Sequence, residues 1–489
     1  MAEKQIDHFT SRWALLVSMI GIAIGTGNIW RFPRIAAKYD GGAFLIPWLV
    51  FLFLWSIPII LIEYGIGKHS RMGAVGAFGK LLGPRFYWMG AFIGFVSTAI
   101  MFYYSVVTGW CLFYLVEAAS GRLAGLDAAG SLQHWEQFIG SMQPALFHLL
   151  AMAIGGSILW SGVSRGIERT NKVLVPSLLI LLLVLLARAV TLDGAVAGIE
   201  SFFTIRWESL LDHRLWLDAL TQNAWSTGAG WGLILTYAVY MRPGEDTNLN
   251  AAITAFADHS VSLVTGIMIF ATVYALLPGQ AAAVISEPGP LNTGLSFIWI
   301  PRLFSEMPAG AFFTAVFFLA LSFAAVSSLI AMIELAVRVL GDAGLARKPA
   351  TVIVTLCGFL LGLPSALSPA IFLNQDWVWG IGLIVSGGFF AFAVLSIGAE
   401  RFRRLYLNTE ESDLTIGRWY DIAIQYVIPL EATLLLGWWF WVAIQADPDG
   451  WWNPLHAESV GTCLLQWGVV LLILFALNNW IARRTSSRS

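Results

Sequence analysis

The chain has 489 residues, 58% apolar and 12% charged, with 23 tryptophans and a formal net charge of −2. A soluble domain carries about 25% charged residues, so this composition excludes a water-soluble globule and points to a polytopic membrane protein. The near-neutral balance gives no footprint for nucleic acid, and Cys111, Cys357 and Cys463 have neither metal-ligand spacing nor the pattern of a disulfide framework.

The N-terminus, MAEKQIDHF, is polar and has no apolar core of a secretory signal. A membrane-spanning helix needs about 20 apolar residues. About twelve such segments follow, centred near 25, 55, 103, 153, 180, 228, 265, 323, 358, 388, 432 and 470. No linker divides them, so 1–489 reads as one transporter-like membrane domain. Its parts are an N-terminus at 1–10, a first half at 11–192, a second at 212–404, two accessory helices at 419–482 and a disordered tail, RRTSSRS, at 483–489. The segment 278–310, proline-rich but moderately apolar, reads as a partly helical outer loop folded over the spans. Alternate loops hold most of the cations, among them Lys68, Arg71, Arg165, Arg169, Arg242, Arg347 and Arg403, while the others hold few, such as Arg122, Arg206, Arg214 and Arg302. The positive-inside rule then puts both termini in the cytoplasm.

Two spans are interrupted. The first contains GIAIGTGNIWRFP (21–33), with Gly21, Gly25 and Gly27 ahead of Asn28, Arg31 and Pro33. Glycine costs a helix about 1 kcal/mol relative to alanine, and an arginine in the bilayer costs at least a few kcal/mol. The sixth contains QNAWSTGAGWG (222–232), with Gly228, Gly230 and Gly232 beside Ser226 and Thr227. The breaks are five spans apart, so they occupy matching positions in two halves of opposite orientation, the arrangement that marks a transporter's binding site. Freed N–H groups favour anions and freed carbonyls favour cations, so two facing breaks can hold a zwitterion and sodium. Asp258, in the apolar seventh span, and the pair Ser327–Ser328 in the eighth add oxygen ligands. Plainer readings stand beside these: glycines for helix packing, serines bonded back to their own helix, and Asp258 at a span's end.

The string GNIWRFP, followed by GGAFLIPW (41–48), resembles the first two helices of the neurotransmitter:sodium symporter family. Tyr103-Tyr104, GIERTNKVLVP (166–176), TYAVY (236–240) and the serine pair extend the resemblance from about residue 9 to 445. It implies an all-α polytopic membrane protein of about 12 transmembrane helices, a five-plus-five inverted repeat with helices 1 and 6 unwound. It also implies sodium-coupled symport of amino acids or related amines by alternating access.

Carried over by position, one sodium site takes the carbonyl of Ala23 with Asn28, Ser226, Asp258 and the substrate carboxylate. The other takes carbonyls of Gly21, Ile24 and Ala324 with the hydroxyls of Ser327 and Ser328. Tyr104 and the amides around Thr26 and Gly27 hold the substrate carboxylate, beside Ala23, Ser226 and Ser328. Ile100, Trp225, Gly228, Trp231 and Met332 line the side-chain pocket. Arg31 and Asp376 form the outer gate, bridged by water, and Asp342 is the inner acid. The inner gate departs from the family pattern, because Ile6 and Phe9 stand where arginine and tryptophan are usual, which leaves Lys4 as a substitute cation. The Gly166–Pro176 spacing lets span 5 unwind and admit water to the second sodium.

Amine carriers place an aspartate where this chain has Gly25, so the resemblance implies a substrate that brings its own carboxylate. The pair Trp225 and Trp231 favours a small neutral amino acid such as glycine or alanine. Asp258 supplies a fixed negative charge, and Trp48 replaces an anion-binding tyrosine, so no chloride requirement is expected beside two sodium ions. The short termini suggest a bacterial inner membrane. Two alternatives remain in view, a carrier of larger hydrophobic amino acids and a non-transporting sensor or partner protein on the same fold. An enzyme is not expected: the seven histidines are scattered, and His259 next to Asp258 points about 100° away from it on a helix.

Overall fold

The computed structural model describes residues 8–486. Ten of its helices are long and apolar enough to cross a membrane: Gly42–Ser70, Tyr87–Ala119, Gln143–Trp160, Val163–Val190, Thr247–Leu276, Gly310–Asp342, Arg347–Leu367, Pro369–Ile397, Trp419–Ala446 and Val460–Thr485. Ahead of them, Arg12–Ala23 and Gly27–Lys38 form a bent pair meeting at 48°. Between Val163–Val190 and Thr247–Leu276 stand two short helices, His213–Ser226 and Leu233–Ala238. The twelve predicted segments are therefore ten continuous helices and two interrupted ones, numbered here as spans 1 to 12, with the breaks in spans 1 and 6.

Local chemistry makes each break. In span 1 the last helical bond runs from the Ile24 N–H to the Ile20 carbonyl, and the next N–H, on Gly25, donates instead to Asn28 Oδ1 at 3.0 Å. The carbonyls that follow Ile20 are left without a partner in their own helix. In span 6, Gly228, Gly230 and Gly232 all take positive φ, at 73°, 88° and 76°. A side chain there would cost about 1–2 kcal/mol per residue, so the alternating glycines hold a non-helical path of turns and bends. Glu63, fully buried in span 2, accepts from the N–H groups of Gly230 at 2.7 Å and Leu235 at 3.0 Å, which satisfies backbone that lipid could not.

Spans 3 and 8 are the centre: 89% of the apolar stretch of Gly310–Asp342 is buried, against 22% for Val460–Thr485. The outward apolar side chains of spans 11 and 12, such as Leu430, Trp441, Leu472 and Phe475, are exposed, as a lipid-facing surface requires. Span 1 approaches span 5 closely at Gly21, where a Cβ would fall 2.9 Å from Val175 Cγ2.

The 278–310 segment is partly helical as expected, with helices Ala281–Ser286 and Ile300–Ser305. The tail differs from expectation. The last helix runs through Val460–Ser486 and carries Arg483 and Arg484 in its final turn, where cations complement the helix dipole. Residues 487–489 lie outside the described residues, as do Lys4 and Ile6.

Candidate transport site

The two breaks meet through span 7. Asp258, fully buried, accepts the Asn28 amide on Oδ1 at 2.7 Å and the Ser226 hydroxyl on Oδ2 at 3.2 Å. Asn28 also donates to Ser262 Oγ at 2.9 Å, and its backbone carbonyl accepts the Thr265 hydroxyl. One carboxylate thus ties Asn28 of the first break to Ser226 at the edge of the second, and the plain reading of Asp258 as a headgroup-level residue is set aside. The Ala23 carbonyl lies at the free end of the same half-helix. Oxygen is the common ligand type here, the set a hard cation takes. Asn28 turns its nitrogen to Asp258 in this arrangement, and rotating the amide by half a turn would present its oxygen.

The second proposed ion cluster is looser. A Cβ on Gly21 would lie 3.4 Å from the Ser327 Cβ, which brings spans 1 and 8 together at the predicted residues. Ser327 donates back to the Ala324 carbonyl at 3.0 Å, as the plain reading of the serine pair had it. Ser328 does not: its hydroxyl is buried without a partner. Ile24 is fully buried at the end of the half-helix.

Between these clusters is a small polar focus. The Tyr104 hydroxyl lies beside Thr26 and Ser328, without a well-formed hydrogen bond to either. A Cβ on Gly25 would meet Ser328 Oγ at 3.5 Å and the Tyr104 hydroxyl at 3.7 Å. A side chain at position 25 would therefore project between these two hydroxyls. Gly27 opens the next half-helix; the Asn28, Ile29 and Trp30 N–H groups donate to the Gly25 and Thr26 carbonyls, which leaves those of Thr26 and Gly27 to favour an anion. Ile100 and Met332, each one turn from Tyr104 and Ser328, are buried.

Trp225 and Trp231 meet edge to face at 5.9 Å between centroids. Span 10 makes room for Trp225 at Gly380, where a Cβ would fall 2.1 Å from its ring. The Arg31 guanidinium lies over Trp225 at 5.3 Å and is not in ion-pair contact with Asp376. Asp376 is beside the Tyr103 hydroxyl. Gly228 faces Ile22 and Ile234, at 3.2 and 3.8 Å from its would-be Cβ, so its role is backbone shape beside the pocket. At the other end of the bundle, Asp342 pairs with Arg338 at 3.0 Å and accepts the Gly73 N–H at 2.6 Å.

Several polar contacts in and around the candidate site escaped sequence reasoning. The His259 ring does reach Asp258, with Nδ1 3.2 Å from Oδ2, and stacks on Trp48 at 4.0 Å. The 100° between neighbours separates their Cα–Cβ bonds, and an imidazole is long enough to bridge it. Glu334, fully buried, holds Arg347 through both guanidinium nitrogens at 2.9 and 2.6 Å and accepts the Tyr240 hydroxyl at 2.5 Å. Phe9 packs between the rings of Tyr237 and Tyr240, at 6.0 and 6.4 Å. The Thr10 N–H donates to Glu168 at 2.8 Å, and Lys172 pairs with the same carboxylate at 2.6 Å. An acid in an apolar helix, as at Glu63 and Glu334, was the available signal.

A model of the Sodium:neurotransmitter symporter family matches residues 6–136 and 126–483. An uncharacterized sodium-dependent transporter of Methanocaldococcus jannaschii is 29% identical over 462 residues, 89% of this chain and 91% of that protein. The Sodium- and chloride-dependent glycine transporter 2 of Xenopus laevis is 24% identical over 569 residues, 99% of this chain and 70% of that protein. Among solved structures, MhsT in complex with L-phenylalanine matches with a TM-score of 0.76 and 30% identity, over 88% of this chain and 99% of that one.

Proposed function

The chain belongs to the sodium:neurotransmitter symporter family, a family of transporters and not of enzymes, and on that premise we propose that it carries a neutral amino acid inward with two sodium ions, by alternating access. The observation that carries the substrate class is the focus around Gly25. Two unpartnered hydroxyls and the start of a half-helix converge where a carboxylate would be held, and position 25 offers no acid to pair with an amine. The substrate carboxylate, lying next to the Asp258 cluster, completes the first sodium site. Gly21, Ile24, Ala324, Ser327 and Ser328 hold the second.

Transport is chloride-independent in this reading, because Asp258 carries the compensating charge and the Ser262 hydroxyl is engaged by Asn28. The working place is a bacterial inner membrane, with both termini cytoplasmic. The Trp225–Trp231 pair supports a small substrate of glycine or alanine size. A second reading, a larger hydrophobic amino acid, is favoured by the likeness to MhsT, a protein whose structure holds L-phenylalanine.

Uptake into proteoliposomes under an imposed sodium gradient, with a panel of amino acids as competitors, tests all of this. Glycine or alanine is expected to compete best, and Trp231→Ala is expected to admit larger side chains. Preference of the unmodified protein for phenylalanine or leucine selects the second reading, and no sodium-driven uptake of any amino acid rejects both.

A further inference from the structure

Gly380 of span 10 is buried, and a Cβ on it would fall 2.1 Å from Cζ2, 2.6 Å from Cη2 and 3.3 Å from Cε2 of Trp225. The benzo edge of that indole therefore sits in the notch left by the missing side chain. Two residues of the candidate site bound the rest of the ring. The Arg31 guanidinium covers it at 5.3 Å, and Trp231 meets it edge to face at 5.9 Å. Carbon atoms in ordinary contact stand about 3.5–4 Å apart, so a side chain at 380 requires either the indole or span 10 to move by more than about 1 Å.

The surroundings decide which of the two yields. The three residues before Gly380 are each fixed to a different neighbour. Trp377 packs on Trp439 of span 11 at 4.6 Å between centroids, and its Nε1 donates to the Ser459 carbonyl at 3.3 Å. The Val378 carbonyl accepts the Trp467 indole N–H of span 12 at 3.0 Å. Trp379 donates to Gln375 Oε1 at 3.0 Å and meets Phe95 of span 3 at 5.1 Å. Just beyond, a Cβ on Gly382 would stand 3.3 Å from Val96, and Gly387 packs on Trp55 and on Gly230. Moving this stretch of span 10 by 1 Å would disturb contacts with spans 2, 3, 6, 11 and 12 together, and close-packed interiors do not yield that way. Trp225 is freer. It is only partly buried, it ends the half-helix His213–Ser226 next to the second break, and two side-chain torsions can turn its ring.

We propose that Gly380 is a specificity-determining residue of the carrier: its notch holds the Trp225 indole back against span 10, and the depth of that notch sets the largest substrate side chain the pocket accepts. Gly380 acts through Trp225, as a positioning residue. The inference rests on the reading of Trp225 as part of the side-chain pocket of a neutral amino-acid carrier, and it deepens that reading. The presence of two tryptophans does not by itself fix the size limit, because one of them is drawn aside by a residue on another span. One methylene of misfit in an apolar pocket discriminates by about ten- to two-hundredfold, so a methyl group placed behind the indole is enough to change which substrates are accepted.

The test is sodium-dependent binding of a labelled amino acid to the purified full chain, by scintillation proximity. Unlabelled glycine, alanine, valine, leucine and phenylalanine are the competitors, and the half-inhibiting concentration of each is read relative to that of glycine. Gly380→Ala is expected to raise this ratio at least about tenfold for the largest side chain that the unmodified protein binds. In the Trp225→Phe background, where the ring ends short of the notch, Gly380→Ala should shift no ratio beyond about twofold, whereas Gly380→Val should raise it again by at least about fivefold. That last comparison decides the matter if Gly380→Ala alone does not fold. The proposal falls if Gly380→Ala leaves every ratio within about twofold, weakens all competitors equally, or acts as strongly in the Trp225→Phe background as in the unmodified protein. It falls as well if Gly380→Val has no effect on the ratios in that background. Failure of the underlying reading looks different: the unmodified protein then binds none of the five amino acids in sodium, whatever stands at 380.

Discussion

Asp258 accepts an amide at 2.7 Å and a hydroxyl at 3.2 Å, and the His259 ring stands 3.2 Å from it without a hydrogen bond. A hydrogen bond to a charged group contributes about 1.5–3 kcal/mol, so the carboxylate ties spans 1 and 6 to its own helix as well as offering charge to an ion. Asp258→Asn keeps the shape and removes the charge. Half-saturating sodium should rise at least tenfold, about 1.4 kcal/mol, with uptake reduced in chloride-free buffer. In the unmodified protein, replacing chloride by gluconate should leave initial uptake unchanged, and a several-fold drop there would overturn chloride independence. Gly230 makes a different kind of demand. Its φ of 88° disfavours a side chain, and a would-be Cβ 3.2 Å from the Gly387 Cα leaves little room for one. Gly230→Ala is expected to cost about 1–2 kcal/mol from the left-handed backbone alone, read as a lowered melting temperature; an unchanged melt would show that this backbone relaxes.

At the scale of elements, a break in a helix is stable only when its loose backbone groups find partners inside the protein. Span 1 supplies its own, through Asn28 Oδ1 and the Gly25 N–H. Span 6 borrows a carboxylate from span 2, because a run of glycines has no side chain to offer. Ser56, Asn223 and Thr227 extend the same tie, with Asn223 donating to the Trp48 carbonyl at 3.0 Å. Glu63→Gln retains one carbonyl oxygen and loses the charge that two N–H groups share. It should lower thermal stability by an amount of about 1.5–3 kcal/mol and slow uptake more than it weakens sodium binding. Equal loss of both would mean that Glu63 supports the ion site and not the movement of the half-helix.

Over the whole molecule, the end that carries Phe9 is held together by polar contacts between distant parts of the chain. Arg347 at the start of span 9 and Tyr240 at the end of span 6 both meet Glu334 of span 8, while Arg71 donates to the Val239 carbonyl at 3.0 Å. Removing one partner of a buried pair strands the other, at about 3–5 kcal/mol, whereas replacing both by apolar groups of similar size is far milder. Arg347→Met alone should therefore lower stability and expose this end to thiol reagents at engineered cysteines. Arg347→Met with Glu334→Met should recover most of the stability while leaving the end open. Recovery of neither would show that the pair is not what closes it.

How much was legible in advance follows the range of each interaction. Composition and the runs of about 20 apolar residues determined the membrane class and the number of segments, because burial in lipid is a local property of a helix. The glycines at 228, 230 and 232 determined where span 6 breaks, because a residue without a Cβ takes positive φ freely, whereas in span 1 Asn28 captures the Gly25 N–H. Asn28, Ser226 and Asp258 were legible through GNIWRFP and through the rarity of an acid in an apolar span. Only the tertiary structure decided which partner each polar group takes. Glu63 pins a break some 170 residues away, Arg347 meets Glu334 across two helices, and Asn171 lies against Gly21. No spacing encodes those pairings, since each depends on how two helices distant in the chain are turned toward one another, and that is set by the packing of all the others.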